Sequence, residues 1–185
     1  MKKKVALIFG GRSLEREISI ISAMQVLSNV DKSKFDVEPV YMFEGDFYVG
    51  GIDKIASFVK FNPSLHKKAY LIKGEFFTLK RDKLCKFFKP DVALLCCHGG
   101  EGENGILQSM MEYNNIPYTS SDTLSSAVCM DKGASKRIFE SLLPIAKALS
   151  SSRRRQSRRA EWSSLSCPLR TSNYYLRNNN TNVLF

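Results

Sequence analysis

The chain has 185 residues, 43% of them hydrophobic and 11% aromatic, which is enough to bury the core of one domain. No apolar run approaches the roughly 20 residues of a membrane span. The apolar run after the first four residues is also too short for the roughly 7–15 residue core of a secretory signal. We therefore expect a cytoplasmic protein without a membrane contact. Its five cysteines, with no C-x-x-C pair, favour reduced thiols over a disulfide scaffold or a zinc site.

The net charge of +10 is unevenly distributed. Residues 150–185 contain seven Arg, no Lys and a single acid, whereas residues 1–149 contain 17 Lys and four Arg against 17 acids. The segment after Ser150 is polar and of low complexity, so it cannot bury enough apolar surface to offset its ordering entropy. We expect a domain over residues 1–149 followed by a disordered basic tail over 150–185.

Residues 3–42 have the pattern of a β-α-β unit. A continuous apolar run over 3–9 predicts a buried strand, and Gly10 and Gly11 end it. Ser13 is the expected cap of a helix reaching Asn29, with Glu15 and Glu17 in its first turn. A second strand is expected over 35–42. The unit predicts the opening of a doubly wound, mostly parallel sheet and an α/β fold.

Residues 43–89 are expected to form an insertion that covers one edge of the sheet. The turns at 44–46 and 73–75 lie between apolar and aromatic segments and predict hairpins, and 52–61 predicts a short helix. We assign this insertion no chemistry.

The central strand and loop are the main candidate site. An apolar run over 90–97 leads into His98 and then into four Gly within the next seven residues. Helical spacing resumes over 105–115. Ligands of open parallel sheets bind in the crevice at the carboxyl ends of the strands. Glu15 from the first loop and His98, Glu101 and Glu103 from this one should therefore face one crevice.

The remaining elements are short. Residues 116–119 predict a brief strand, and Asp122 is the expected cap of a short helix. Asp131 opens a further helix, expected over 132–142.

The loop also matches the dinucleotide pattern G-x-G-x-x-G from Gly100 to Gly105, with Asp122 following. That fingerprint belongs after the first strand, and here Glu101 and Glu103 would repel a pyrophosphate. We do not expect nicotinamide or flavin binding.

Each candidate residue also has a simpler explanation on spacing alone. The acids at 15, 17 and 103 could be favourable charges at helix N-termini. His98 could be a loop histidine with local hydrogen bonds, and Lys132 a solvated surface lysine.

Three motifs, in order along residues 4–142, resemble the D-alanine–D-alanine ligase family. The first runs from Phe9 to Ser19 (F-G-G-R-S-L-E-R-E-I-S) and continues at Ser22-Ala23. The second runs from His98 to Gly105 (H-G-G-E-G-E-N-G), with Gln108 and Glu112. The third comprises I-P-Y-T at 116–119 and S-S-A-x-x-M-D-K at 125–132, with Lys136.

The resemblance implies the amino-terminal, Rossmann-like domain of an ATP-grasp ligase that joins two D-alanines for peptidoglycan synthesis. In that family ATP phosphorylates the carboxylate of the first D-alanine, with Mg²⁺ present, and the amine of the second attacks the acyl phosphate. By position, Glu15 would be catalytic and hold the ammonium of the first D-alanine. His98 and Gly99 would line its pocket, and Lys132 would reach the ATP phosphates. Family members commonly form homodimers through this domain.

The family's central and carboxyl-terminal domains, which supply the metal ligands and most nucleotide contacts, do not appear in this sequence. We expect an inactive chain without D-alanine-dependent ATP hydrolysis and without a metal site of its own. The change in basic residues near 147–152 suggests a shifted reading frame. Two alternatives are a stand-alone amino-acid-binding module and an anionic-surface or nucleic-acid binder acting through the Arg-rich tail. For the tail we favour an unselected basic peptide.

Overall fold

Seven strands and four helices follow one another in residues 1–140, the part of the chain that the structure, a computed structural model, describes. The strands are β1 (Lys3–Gly10), β2 (Phe35–Phe43), β3 (Asp46–Val49), β4 (Lys67–Ile72), β5 (Glu75–Lys80), β6 (Lys83–Phe88) and β7 (Val92–Leu95). The helices are α1 (Arg16–Asn29), α2 (Ile106–Tyr113), α3 (Thr123–Met130) and α4 (Lys132–Phe139).

All seven strands belong to one sheet, in the order β6-β5-β4-β3-β2-β1-β7. β1 pairs in parallel with β2 on one side and with β7 on the other, which confirms the predicted β-α-β unit. The pairings from β2 through to β6 are antiparallel. The α/β class is confirmed, but the sheet is mixed rather than mostly parallel, because the hairpins of the insertion continue it instead of covering its edge.

The central strand β1 supplies a core on both faces of the sheet. Ala6 and Ile8 pack in a cluster that includes Leu107 and Met111 of α2. Their neighbours Leu7 and Phe9 belong to a second cluster with residues of α1. All four of these strand residues are fully buried. Alternate residues of a strand point to opposite faces, so α1 and α2 lie on opposite sides of the sheet, which is the doubly wound arrangement.

The insertion forms hairpins at the predicted turns. Glu44 and Gly45 join β2 to β3, and Lys73 and Gly74 join β4 to β5, each with positive φ as the primed two-residue turns require. The expected helix over 52–61 reduces to a single 3₁₀ turn at Ile55–Phe58. Phe58 and its neighbour Phe61 pack edge-on against Tyr41 over the sheet face that carries α1.

Other expectations differ from the structure in detail. Ser13 does not cap α1: its hydroxyl accepts from the Glu15 N–H at 3.0 Å, and the helix begins two residues later than a Ser13 cap would place it. The strand expected over 116–119 is one parallel bridge between Tyr118 and Ala93. Asp122 and Asp131 cap α3 and α4 as predicted. The end of the last helix at 142, the tail over 150–185 and the frame change lie outside the described residues. No helix over 1–140 is long and apolar enough to span a bilayer.

Candidate functional site

The candidate site lies where the chain leaves β1 and β7. These strands are parallel neighbours, and α1 follows β1 on one face while α2 follows β7 on the other. The loops after the two strands therefore diverge to opposite faces and leave a crevice at the carboxyl edge of the sheet, the usual ligand position in doubly wound folds.

Ser19 of α1 connects the ends of both strands. Its hydroxyl oxygen accepts from the Gly10 N–H at 2.7 Å, and the hydroxyl donates to the Cys96 carbonyl at 2.8 Å. Ser19 is fully buried, so each of these bonds satisfies a backbone group that would otherwise be costly to bury. One side chain therefore joins the carboxyl ends of the two strands.

Glu15, the residue before α1, and Ser19 and Ser22 of α1 lie near the 96–99 segment. Glu15, Ser19 and Ser22 are spaced i, i+4, i+7 and share one helix face. Ser19 bonds to Cys96, and the Ser22 hydroxyl lies 2.9 Å from Nε2 of His98. Two hydrogen bonds thus join α1 to the second loop.

Gly99 brings the second loop closest to Glu15. Its φ is +67° and its ψ is 177°, a conformation that essentially only glycine adopts. A Cβ at Gly99 would lie 2.6 Å from the Ser13 Oγ and 2.9 Å from the Glu15 Oε2. The structure therefore places Glu15 beside Gly99, the residue that follows His98.

Arg12 and Glu101 form a second connection between the loops. The Arg12 side chain Nε lies 3.4 Å from Glu101 Oε1, and the Arg12 N–H donates to Glu101 Oε2 at 3.4 Å. Arg12 also donates to the Glu44 carbonyl at 3.2 Å. Glu101 is neutralised in this way, whereas Glu15 makes no ion pair within residues 1–140. Of the two acids, Glu15 is the one available to a cationic ligand.

The loop after His98 rests on buried groups. Gly102 lies directly against Cys97, with no space for a Cβ, and burial raises the pKa of the Cys97 thiol to about 12. Gln108 of α2 is 1% exposed and donates to the Gly102 carbonyl at 2.7 Å and to Ser120 Oγ at 3.2 Å. Cys97 and Gln108 therefore hold the glycine loop at Gly102.

Lys132 lies apart from these contacts. It is the first residue of α4, is exposed, and follows Asp131, whose carboxylate accepts from the N–H groups of Gly133 and Ala134. Within residues 1–140, no hydrogen bond or ion pair joins it to Glu15 or His98. The same residues contain no group of three or more His, Cys, Asp or Glu that could hold a metal ion.

Sequence reasoning included Arg12, Ser19 and Ser22 in the first motif but gave them no role in the site. The i, i+4, i+7 spacing of Glu15, Ser19 and Ser22 was a usable signal, because it places a polar stripe on a helix that must also pack on the sheet. No comparable signal indicated that Arg12 would pair with an acid 89 residues away.

This combination of a doubly wound sheet, a free carboxylate and an imidazole over a glycine loop defines an α/β domain suited to a small zwitterionic or cationic ligand. Residues 4–121 match the family model described as "D-ala D-ala ligase N-terminus". The chain belongs to the D-alanine–D-alanine ligase family, of which it carries the amino-terminal domain.

Two curated relatives are named D-alanine–D-alanine ligase. The protein from Chloroherpeton thalassium is 37% identical over 149 residues, covering 75% of this chain and 40% of the relative. The protein from Caldicellulosiruptor bescii is 39% identical over 147 residues, covering 74% and 38%. The chain thus spans about 40% of the length of the relatives it matches.

Solved structures agree with this assignment. The VanG D-Ala:D-Ser ligase from Enterococcus faecalis superposes with a TM-score of 0.65 at 34% identity, over 76% of this chain and 42% of that one. The D-alanine–D-alanine ligase from Coxiella burnetii gives a TM-score of 0.62 at 27% identity, over the same shares.

Proposed function

We propose that residues 1–140 form the amino-acid-binding domain of a ligase that joins two D-alanines with ATP, for use in peptidoglycan. The family supplies the reaction, and the observation that carries the proposal is the Glu15 carboxylate. It has no ion-pair partner in the described part of the chain and lies beside Gly99, at the crevice where a doubly wound fold binds its ligand.

The crevice suits the two charges of an amino acid. Glu15 would accept hydrogen bonds from the ammonium of the first D-alanine, and such charge-assisted bonds are stronger than neutral ones. Because Arg12 already holds Glu101, the ammonium would pair with Glu15 rather than with Glu101. Gly99 allows the backbone to approach the ligand without a side chain between them, and His98 would line the same pocket.

ATP and Mg²⁺ enter the proposal through the family alone. Lys132 has the charge for a phosphate contact and is exposed at the start of α4. The described acids do not form a cluster suited to Mg²⁺. The chain's own residues would therefore bind and orient the amino acid, and we assign no metal-dependent step to them. By the same resemblance we propose a cytoplasmic protein that forms homodimers.

A titration with D-alanine tests the proposal. We expect D-alanine to perturb the His98 ring signals in NMR spectra of the ¹³C,¹⁵N-histidine-labelled chain, and L-alanine to perturb them less. His66→Gln identifies the signals, because the chain has only two histidines. In Glu15→Gln we expect affinity to fall roughly 10- to 100-fold, the range of a lost hydrogen bond to a charged group.

Glu17→Gln is the matched control. Glu17 lies one residue into the same helix, is exposed, and its carboxylate pairs with Arg16 at 3.5 Å rather than facing the glycine loop. We expect unchanged D-alanine affinity in this variant. Equal losses in both variants would show that general charge, not a specific carboxylate, governs binding. No D-alanine response in the unaltered chain would remove the proposed pocket.

A further inference from the structure

His98 is held by a residue that has no assigned role. The Ser22 hydroxyl lies 2.9 Å from Nε2 of His98, and both residues are half-buried. Ser22 is on α1, and His98 follows β7, so this bond joins two elements 76 residues apart in sequence. It fixes which edge of the imidazole faces the helix and which edge remains for the crevice.

The direction of the bond depends on which ring nitrogen of His98 carries the proton, and one direction makes use of the serine hydrogen. A serine hydroxyl has one hydrogen to donate. Ser28, also on α1, donates its hydrogen to the carbonyl four residues earlier, Met24, at 2.8 Å. For Ser22 the hydrogen-bond partner over residues 1–140 is His98. The neutral arrangement that uses the hydrogen is donation from Ser22 to Nε2, which leaves the ring proton on Nδ1.

We propose that Ser22 is a positioning residue that holds His98 as the Nδ1–H tautomer, with Nδ1 as its donor toward the amino-acid ligand. The proposal deepens the proposed function and rests on it for the identity of the ligand. It gives the pocket opposite polarities at its two ends. Glu15 accepts from the ammonium, and the Nδ1–H of His98 donates to an acceptor such as the carboxylate of the same α-amino acid.

The tautomer can be measured without any ligand. Long-range ¹H–¹⁵N correlation spectra of the histidine-labelled chain, at about pH 8.5 so that a histidine of ordinary pKa is neutral, distinguish the two ring nitrogens. We expect His98 to show a protonated Nδ1 and an acceptor Nε2. A neutral histidine side chain in water prefers its proton on Nε2. Ser22→Ala should therefore move His98 toward the Nε2–H tautomer.

Two further variants separate the hydroxyl from packing. Ser22→Thr keeps the hydroxyl and should restore the Nδ1–H form. Ser28→Ala removes a hydroxyl from the same helix that does not reach His98 and should leave the spectrum unchanged. D-alanine affinity should fall about tenfold in Ser22→Ala, the size of one hydrogen bond, and recover in Ser22→Thr.

The tautomer and the binding measurements can fail separately. If His98 has the same tautomer with and without the Ser22 hydroxyl, the positioning role is wrong, whatever binds in the crevice. If the tautomer changes as expected but D-alanine does not bind the unaltered chain, the positioning of His98 stands and the proposed function is wrong.

Discussion

At the scale of single residues, the crevice depends on a position where no side chain fits. Gly99 combines a positive φ with a close approach to the side chains of Ser13 and Glu15, so one substitution there tests both the loop conformation and the pocket. Glu15 is exposed, so its side chain has room to turn away from a new methyl group. Ser13 is held by its hydrogen bond from the Glu15 N–H, so it would yield less readily.

Gly99→Ala should lower the free energy of unfolding by about 1–3 kcal/mol, the usual cost of a residue forced into a sparsely populated backbone region. It should also weaken D-alanine binding, because the new Cβ would lie 2.9 Å from the Glu15 Oε2. Urea denaturation and the NMR titration measure the two effects.

Gly51→Ala is the control for backbone strain alone. Gly51 has a φ of +70°, but no atom lies within 4 Å of the position of its Cβ. We expect a smaller loss of stability there and unchanged D-alanine affinity. If Gly99→Ala binds D-alanine as tightly as the unaltered chain, the close approach of Gly99 to Glu15 does not shape the pocket.

Residue chemistry explains which parts of the site could be read from the sequence. Glu15 and His98 could be proposed because they follow apolar strands whose carboxyl ends the fold class brings together, and because both fall in motifs that resemble the ligase family. Ser19 and Ser22 do not stand out, since a serine on a packed helix face is ordinary until its partner is known. Their partners, Cys96 and His98, are more than 70 residues away.

At the scale of elements, α1 connects the carboxyl ends of β1 and β7 through Ser19. Its buried apolar residues pack on the sheet, and its polar stripe receives the loop after β7. The helix lacks a side-chain cap, so its position depends on these tertiary contacts more than on local signals. The helix was predicted in outline, but its apolar residues do not all face the sheet: Ile20 and Ala23 are buried, whereas Ile18 and Ile21 are exposed. Its first residue was misplaced because Ser13 forms a local turn instead of a cap.

Ser19→Ala tests this connection between α1 and the two strands. The change removes a hydroxyl that serves two backbone groups, leaving the Gly10 N–H and the Cys96 carbonyl without this partner in a buried environment. We expect a loss of about 2–4 kcal/mol in the free energy of unfolding, since each unsatisfied buried group costs about 1–3 kcal/mol. Urea denaturation measures this loss. If the dependence of the unfolding free energy on urea concentration has the same slope as in the unaltered chain, the stability has changed and the compactness of the folded and unfolded states has not.

Ser28→Ala is again the comparison within α1. The Ser28 hydroxyl is exposed and bonds only to its own helix, so we expect its removal to change stability by less than about 0.5 kcal/mol. If Ser19→Ala and Ser28→Ala lower the free energy of unfolding equally, the hydrogen bonds of Ser19 to the two strands do not contribute to stability.

At the scale of the whole domain, the sheet was only partly predictable. The three parallel strands were indicated by their apolar runs, and the hairpin turns by glycines with flanking aromatic residues. The sequence did not reveal that β3 to β6 would extend the same sheet. Strands that pair with β2 and strands that fold across its edge would have the same types of residue, so the antiparallel pairing of β2 with β3 leaves no signal in the sequence. For this reason a mostly parallel sheet was expected, and that expectation was wrong.

The domain as a whole should lose stability at alkaline pH. Burial raises the pKa of the Cys97 thiol from 9.0 to about 12, and burial together with the hydrogen bond to Glu112 raises the pKa of Tyr118 from 10.0 to about 12. Both groups therefore hold their protons more tightly in the folded chain than in the unfolded one. Their contribution is fully present below pH 9 and is lost as pH rises toward 12.

Denaturation curves from about pH 8 to 11 should show this loss, with a slope that approaches about 1.4 kcal/mol per pH unit for each proton released on unfolding. Cys97→Ala should flatten the dependence between pH 9 and 10, below the range where Tyr118 begins to contribute. Cys85→Ala is the matched control, because Cys85 lies exposed on β6 and has no comparable burial. An unchanged slope in Cys97→Ala would show that the thiol beneath the glycine loop titrates as freely as an exposed one, and that the loop is not packed against it.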